Sequence, residues 1–298
     1  MRHIWAHLLM ASALLFLTLF FLLPAGATLY GAVLDGQGHL TASYLLEVFL
    51  NPIYREGFFN AGFIATASTF GCLLISVPLA TFRARFYFPG RNVFHALVLA
   101  PLLLPPFVGA LGVQALLGQM GALNSLLDTL HLIDPLRPPD WLGSGRMLGV
   151  ILMNILHLYP MTYTSLASAI QGLDPALEEA AESLGASPLR RLVKITVPLM
   201  IPSLFAGGSL TFIWSFTELG VPLMFDVERV TSVQVFNALK DLEDNPFPYA
   251  LVVVLLASTT FMYLVGRFAF KGQQVEGGGR AVQLRAPRRP SRGKAWSI

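Results

Sequence analysis

Six apolar runs, each long enough to cross a bilayer, constrain this chain more than any other feature of its sequence. A hydrocarbon core about 30 Å thick is spanned by roughly 20 apolar residues in a helix. A backbone in lipid must also satisfy its own hydrogen bonds, which a helix does. Each run is therefore predicted to be a transmembrane helix. The predicted spans are residues 8–29, 59–82, 93–117, 147–170, 199–225 and 249–270.

The composition agrees with an all-α integral membrane protein. Of the 298 residues, 54% are hydrophobic and 12% are charged, which is too apolar for a domain with a water-facing surface. The single cysteine, Cys72, excludes a disulfide framework and a multi-thiolate metal site, and we expect it to be a small buried side chain. The sequence contains no phosphate-binding loop, GxSxG elbow or HExxH motif. We therefore expect no enzyme activity, no catalytic residues, no metal site and no cofactor on this chain.

Basic residues predict the orientation in the membrane, because lysine and arginine favour cytoplasmic loops. They concentrate between spans two and three, between spans four and five, and in the tail after span six. Both termini and the loop at residues 174–198 are thus predicted to be cytoplasmic. The net charge of +3 is explained by this topology and gives no reason to expect nucleic acid, so the lipid bilayer is the expected surrounding partner.

The two ends of the chain are predicted to be separate from its core. Residues 1–58 form a first transmembrane helix with an outer loop, which we favour over a secretory signal because a polytopic protein follows. Residues 272–298 are rich in glycine, arginine and proline and are predicted to be a disordered cytoplasmic tail.

One polar segment, residues 174–198, interrupts the apolar chain with charges of both signs. Asp174 and Pro175 are suited to a helix start, and Gly185 to its end. Helical spacing places Leu177, Ala180, Ala181 and Leu184 on one face and Glu178, Glu179 and Glu182 on the others. A second helix can start at Ser187 and Pro188. By periodicity alone, this is either a solvated helical hairpin or a surface for a partner.

The spacing within this segment resembles a family motif. Glu179-Ala180-Ala181 is followed after three residues by Gly185, and after nine more by Ile195, with Pro198 close behind. This pattern is similar to the EAA loop of type I ABC importer permeases, from which it departs in having Val197 in place of leucine. The resemblance covers about residues 60–270.

The resemblance implies a fold, a mechanism and partners. The fold would be a six-transmembrane-helix type I ABC importer permease (MetI-like) bundle, with residues 59–271 as the core domain. Residues 174–198 would dock in a cleft of a cytoplasmic ATPase, so that ATP-driven closure of the ATPase pair rocks the membrane helices. Partners would be two ATPase subunits holding ATP and Mg²⁺, a second permease and an extracytoplasmic solute-binding protein, at a bacterial inner membrane. The implied ATPase-coupling residues are Glu178, Glu179, Ala180, Ala181, Gly185, Ile195 and Pro198.

Two interruptions in the spans are candidates for the solute path. Pro105 and Pro106 break span three, which indicates either a kinked structural helix or a break lining a watery path. Glu218 lies in span five close to Gly220, where an ionisable residue should face protein or water, or else lie near the interface. His157 in span four is expected to be a hydrogen-bonded packing residue.

The solute itself is less constrained. The sequences around Pro105 and Glu218 look most like the branch that handles ferric iron, whose relatives carry polyamines, thiamine, phosphonates, sulfate or phosphorylated sugars. Two other classes of protein are compatible with the sequence. One is an ion-coupled secondary transporter, which needs intramembrane charges such as Glu218. The other is a membrane scaffold with a coincidental motif.

Overall fold

The computed structural model of the chain describes residues 2–34, 39–143, 146–239 and 247–269. Within these ranges the regular secondary structure is helical, and Leu34 and Leu40 form an isolated β-bridge. The predicted all-α class is therefore confirmed. The predicted tail at residues 272–298 lies outside the described residues.

The helices follow the apolar runs closely. Up to residue 129 they are α1 (Arg2–Leu17), a π-helical turn (Thr18–Leu22), α2 (Leu23–Gly31), α3 (Ser43–Leu50), α4 (Pro52–Arg85), α5 (Arg91–Leu99), a 3-10 turn (Ala100–Leu103), α6 (Pro106–Leu117) and α7 (Ala122–Thr129). After it they are α8 (Met147–Gln171), α9 (Pro175–Ser183), α10 (Pro188–Arg191), a second π-helical turn (Leu192–Thr196), α11 (Val197–Thr217), α12 (Gly220–Met224), α13 (Thr231–Ala238) and α14 (Phe247–Ala269).

Five helical stretches among the described residues are long and apolar enough to cross a membrane: His7–Gly31, Pro52–Arg85, Pro106–Thr129, Pro188–Thr217 and Phe247–Val265. The fourth predicted span, residues 147–170, is the helix α8. Its 25 residues extend about 37 Å, enough to cross a bilayer, but polar residues such as Asn154 and His157 lower its hydropathy. These residues are tolerated because much of α8 packs against other helices.

The third predicted span, residues 93–117, is not one continuous helix, and it is interrupted at the prolines that the sequence indicated. It consists of α5, the 3-10 turn and α6, and the backbone becomes extended at Leu104 (ψ 130°) and Pro105 (ψ 137°). Proline restricts the residue before it to extended conformations and cannot donate a backbone hydrogen bond. Two consecutive prolines, Pro105 and Pro106, thus end one helical segment and begin the next.

The chain forms two compact units, which we describe separately. Unit 1 comprises Met1–Asn60 and Glu228–Thr260. Its core contains Val48 and Leu251. The ring centroids of Tyr54 and Phe247, which pack in this core, lie 4.4 Å apart. Arg229 forms an ion pair with Glu56 and accepts a 2.8 Å hydrogen bond from Asn60 through its backbone carbonyl.

Unit 2 comprises Ala61–Val227 and Phe261–Ile298 and is built around α8. Two hydrogen bonds of 2.8 Å join α8 to α11, from Asn154 to Ser215 and between Thr162 and Thr211. A third 2.8 Å bond runs from the Ser76 hydroxyl of α4 to the carbonyl of Tyr159. An apolar core cluster lies at the end of α8 nearest residues 174–198, and it consists of Ala80, Val98, Tyr163, Leu166, Ala167, Ile170 and Met200. Buried small and polar side chains therefore hold the three helices together.

Candidate functional site

Residues 174–198 form the helical hairpin that the sequence predicts, and local bonds define its ends. An oxygen of the Asp174 carboxylate accepts from the Ala176 amide at 2.9 Å at the start of α9. At the end of α9, the amide of Ala186 donates to the carbonyl of Ala181 at 3.0 Å, and the amide of Gly185 donates to that of Glu182 at 2.9 Å. These two bonds form a Schellman motif, which needs the left-handed backbone that Gly185 adopts at φ 79°.

The second arm of the hairpin runs directly into the membrane helix. The Ser187 hydroxyl accepts from the Arg190 amide at 3.3 Å, and Pro188 occupies the first helical position. From there α10, the π-helical turn and α11 are continuous to Thr217. Ile195 is half-buried and Pro198 is exposed along this stretch. Any displacement of the hairpin is therefore applied at the end of a membrane-spanning helix.

The two sides of α9 differ sharply in exposure. Leu177, Glu179 and Ala180 are exposed, Ala181 is half-buried, and Leu184 just after the helix is 89% exposed. Glu178 faces the opposite way and is 6% exposed. The apolar residues that share a face by periodicity thus point away from the protein, while a carboxylate points into it.

Glu178 belongs to a buried polar cluster, which we call the Arg85–Glu178–Thr196 cluster. Arg85 Nη2 donates to Glu178 Oε1 and to Thr196 Oγ1, both at 2.7 Å. The Thr196 hydroxyl in turn donates to Glu178 Oε1 at 2.9 Å. Arg85 is the last residue of α4, Glu178 lies on α9, and Thr196 ends the π-helical turn. The cluster therefore joins the hairpin to two membrane-spanning helices.

A second ion pair lies within the hairpin itself. Arg191 Nη1 lies 2.6 Å from Glu182 Oε2, so the pair joins α9 to α10. The arginine is buried, whereas the glutamate side chain is 46% exposed. This pair lies within the hairpin and stabilises the contact between its two helices.

Glu179 differs from its acidic neighbours. In the part of the chain that the structure describes, its carboxylate takes part in no ion pair or side-chain hydrogen bond. It lies on the exposed side of α9 beside Ala180. An exposed carboxylate beside a small side chain can form an ion pair with a basic group of another protein.

The proline break in the third predicted span contacts α8. His157 Nδ1 lies 3.2 Å from the carbonyl oxygen of Pro101. In a continuous helix this carbonyl would accept from residue 105, which is a proline and has no N–H. The same carbonyl oxygen also accepts from the Leu104 amide at 3.4 Å. His157 therefore adds a side-chain contact to a helix end, in agreement with the packing role predicted for it.

Glu218 lies at a break between α11 and α12, where its backbone is extended (ψ 130°). Its Oε1 accepts from the amides of Gly220 at 3.0 Å and Val221 at 3.3 Å. A Cβ placed on Gly220 would lie 3.8 Å from the Cβ of Phe107 on α6. The structure thus brings the Pro106 and Gly220 regions together, and it gives Glu218 a helix-capping contact.

One polar contact had no counterpart in the sequence analysis. Arg146 Nη1 lies 2.5 Å from Asp226 Oδ2, and both residues have left-handed backbones, with φ of 54° and 53°. The pair ties the start of α8 to the segment after α12. It lies at the opposite end of α8 from the Arg85–Glu178–Thr196 cluster. The left-handed backbones of these two non-glycine residues distinguish the pair, and no sequence pattern predicts such a conformation.

The described residues contain no group of three or more histidine, cysteine, aspartate or glutamate side chains suited to a metal ion. Apolar helices, helix breaks and an exposed hairpin between two spans are the arrangement of a membrane transport subunit that works with a partner. The chain matches the family of binding-protein-dependent transport system inner membrane components over residues 73–271, and it belongs to that family. It is a multi-pass permease of a type I ABC importer, and this family comprises transport permeases and not enzymes.

Similar proteins agree with this assignment. A protein of Salmonella typhimurium named as a 2-aminoethylphosphonate transport system permease, PhnU, is 29% identical over 243 residues, 82% of this chain and 84% of its own length. A protein of Haloferax volcanii named as a molybdenum ABC transporter permease is 33% identical over 252 residues, 84% of this chain and 85% of its own. In the solved bacterial alginate ABC transporter bound to a periplasmic protein, one chain has the same fold. The TM-score is 0.74 at 17% identity, covering 91% of this chain and 95% of that one.

Proposed function

We propose that this chain forms half of the solute path of an ATP-driven importer and receives the ATPase cycle through residues 174–198. The observation that carries the proposal is the outward face of α9, where Leu177, Glu179, Ala180 and Leu184 are exposed on a helix fixed at both ends. Two exposed leucines on one side of a short helix give it an apolar patch that the surface of another protein can cover. A short helix with an apolar outer face fits the groove of a partner protein.

Charge and size favour a docking arrangement in which α9 is the inserted element. Ala180 and Ala181 allow a partner surface to approach the helix backbone closely. The carboxylate of Glu179 supplies a negative charge for a basic group of the ATPase, and Gly185 allows the chain to turn back at once. Ile195 and Pro198 would then lie where the chain returns to the membrane.

The remaining parts of the importer follow from the same proposal. Two ATPase subunits bind ATP and Mg²⁺, a second permease completes the path, and a solute-binding protein docks outside the cell. Residues 174–198 and both termini lie in the cytoplasm. The basic loop after α4 supports this orientation, because Arg85 contacts Glu178 and Thr196 and so lies at the same end of unit 2 as the hairpin.

The solute path passes the two helix breaks. Pro105 and Pro106 interrupt one helix, Glu218 and Gly220 interrupt another, and the two breaks approach each other at Phe107. Breaks of this kind are stable at membrane depth only when protein or water satisfies the backbone, as Glu218 and His157 do here. Because Glu218 has this capping contact, it gives little support to a separate role in ion coupling.

We infer that the solute is small and polar or charged. The relatives described above are named for 2-aminoethylphosphonate and for molybdenum, which supports this class of solute. Neither name mentions iron, so transport of ferric iron stays a prediction. The binding protein that works with this permease is expected to select the solute.

Co-purification and transport test the proposal. The full chain, expressed together with the ATPase and the binding protein of its own importer, is expected to retain the ATPase during purification and to take up solute into liposomes only with ATP. Glu179→Lys is expected to lower ATPase retention about tenfold or more, because it places a cation against a basic partner group. Glu228→Lys makes the same charge change outside residues 174–198 and serves as the control.

Two results would contradict this proposal. The first is solute uptake by the permease alone in liposomes without ATP, which would indicate a secondary transporter. The second is equal ATPase retention by the wild type and Glu179→Lys, which would remove the exposed face of α9 from the interface.

A further inference from the structure

The Arg85–Glu178–Thr196 cluster joins three elements that are far apart in sequence. Its contacts connect residues 93 and 111 positions apart, and the oxygen Glu178 Oε1 is shared by the arginine and the threonine. The Arg85 and Glu178 side chains are 14% and 8% exposed, and Thr196 is fully buried. Such a contact is shielded from water and is much less weakened by salt than a surface ion pair.

The cluster rests on a rigid base. Ala80 lies little more than one helical turn before Arg85 on α4, and Met200 lies one turn after Thr196 on α11. Both residues belong to the apolar core cluster at the hairpin end of α8, together with Ile170 at the end of α8. Since close-packed interiors transmit displacement instead of absorbing it, a force on Glu178 is passed to α4, α8 and α11.

Thr196 lies where the geometry of the helix changes. It ends the π-helical turn Leu192–Thr196, and its hydroxyl also lies 3.5 Å from the carbonyl oxygen of Arg191. A π-helical turn accommodates one extra residue in a helix and is often found at functional sites. The cluster therefore joins α9 to the point where the helix leading into α11 departs from regular geometry.

We propose that the Arg85–Glu178–Thr196 cluster is the link that transmits displacement of α9 to α4 and α11. In this role Glu178 is a positioning residue that faces its own chain, whereas Glu179 faces the ATPase. The inference rests on the proposed docking of residues 174–198. It adds that docking and transmission are carried by adjacent glutamates, one exposed and one buried, on the same helix.

A buried charged link suits transmission better than apolar contact does. Apolar contacts are non-directional, while a hydrogen-bonded ion pair fixes both distance and direction. Separating the two charges would leave each buried without its counter-charge, which is unfavourable. The arginine and the glutamate are therefore held in this one arrangement. The hairpin and the two helices are thereby held to move as one body.

A distance measurement tests the link without requiring transport. Spin labels at Ser183→Cys and Tyr87→Cys, both exposed positions on the two sides of the cluster, report the separation of the hairpin from the end of α4. Cys72 is fully buried, and the unmodified chain controls for labelling there. A narrow distance distribution is expected in the wild-type background and a clearly broader one with Glu178→Gln.

The matched control is Glu182→Gln. It removes a carboxylate from the same helix and breaks the Glu182–Arg191 pair, which stays within the hairpin. The distribution with Glu182→Gln is expected to remain narrow. Equal widths in the wild-type and Glu178→Gln backgrounds would overturn the proposal.

A second experiment measures how much solute the assembled importer takes up per ATP hydrolysed. Glu178→Gln is expected to keep the ATPase bound while solute uptake per ATP hydrolysed falls about tenfold. The exchanged pair Arg85→Glu with Glu178→Arg restores opposite charges and is expected to recover part of this loss. Loss of ATPase binding by Glu178→Gln, equal to that of Glu179→Lys, would instead place Glu178 in the docking surface and contradict the link.

The two failures can be told apart. If the wild-type assembly neither retains an ATPase nor shows ATP-dependent uptake, the proposed function is wrong. If the wild type works and Glu178→Gln keeps either a narrow distance distribution or normal uptake per ATP, only the link is wrong.

Discussion

Glu178 and Glu179 are adjacent in the sequence, yet their carboxylates lie in opposite environments. Glu178 is bonded to Arg85 and Thr196 in the interior, whereas Glu179 is exposed beside Ala180. Successive residues on a helix are about 100° apart, so one residue of displacement is enough to exchange a buried for an exposed position. For this reason, the two glutamates are assigned different tasks.

Gly185 permits a residue-level prediction. Its backbone has a φ of 79°, and a Cβ built on it would have no atom within 4 Å, so conformation and not space limits substitution. Gly185→Val is expected to cost about 1–2 kcal/mol of hairpin stability, because branched residues avoid left-handed backbone. Gly185→Asn is expected to be mild, since asparagine tolerates that conformation. ATPase retention on the purified permease is the measurement, and equal losses for both variants would contradict the Schellman ending of α9.

At the scale of secondary-structure elements, α8 and α11 hold unit 2 together by close approach. A Cβ on Gly207 would lie 3.2 Å from the Cβ of Ser165 and 3.4 Å from the Cα of Thr162. These atoms are attached to or part of the α8 backbone and cannot move aside easily. Small residues at such positions let membrane helices pack closely and hydrogen-bond across the interface, as Thr162 and Thr211 do.

Adjacent glycines on α11 give a matched pair for this interface. Gly207→Ala is expected to destabilise the protein by about 1–3 kcal/mol through overpacking against α8. Gly208→Ala is expected to be tolerated, because its nearest contact would be the Thr69 methyl at 3.6 Å, an ordinary distance. Thermal unfolding of the detergent-purified chain measures the difference. A transition temperature for Gly207→Ala equal to that of Gly208→Ala would contradict the packing described here.

Local features of these elements could be predicted from the sequence, and long-range ones could not. Asp174, Ser187 and Gly185 define helix ends through bonds between residues at most five positions apart, so composition and spacing were sufficient. The partner of Glu178 is 93 residues distant, and nothing in either segment indicates the pairing. Periodicity grouped Leu177 with Leu184 but could not show which face of α9 points outward. Prolines indicated the break in the third span, although the extended residues Leu104 and Pro105 are evident only in three dimensions.

At the scale of the whole molecule, two polar contacts mark the two ends of α8 within unit 2. The Arg146–Asp226 pair lies at its start, and the Arg85–Glu178–Thr196 cluster lies beyond its end. Because α8 extends about 37 Å, we expect the two contacts to lie on opposite sides of a bilayer. The concentration of basic residues near the cluster predicts that its side is cytoplasmic.

Cysteine labelling tests this orientation. Leu136→Cys and Ser183→Cys place a thiol at exposed positions before and after α8, while the native Cys72 is fully buried. A membrane-impermeant maleimide is expected to label Leu136→Cys in intact spheroplasts and Ser183→Cys only after permeabilisation. The unmodified chain should remain unlabelled in both conditions. The reverse order of labelling would place residues 174–198 outside the cell and would exclude a cytoplasmic ATPase as their partner.

The most direct test of the proposed function is site-specific photo-cross-linking from Leu184, which is 89% exposed at the turn of the hairpin. With a photoreactive residue at this position in cells that contain the full importer, we predict a cross-link to the ATPase subunit. The same residue at Leu130, exposed between the third and fourth predicted spans and thus on the side opposite residues 174–198, should give no ATPase cross-link. Absence of an ATPase cross-link from Leu184, or cross-linking from Leu184 to the solute-binding protein, would contradict the assignment of residues 174–198 as the coupling site.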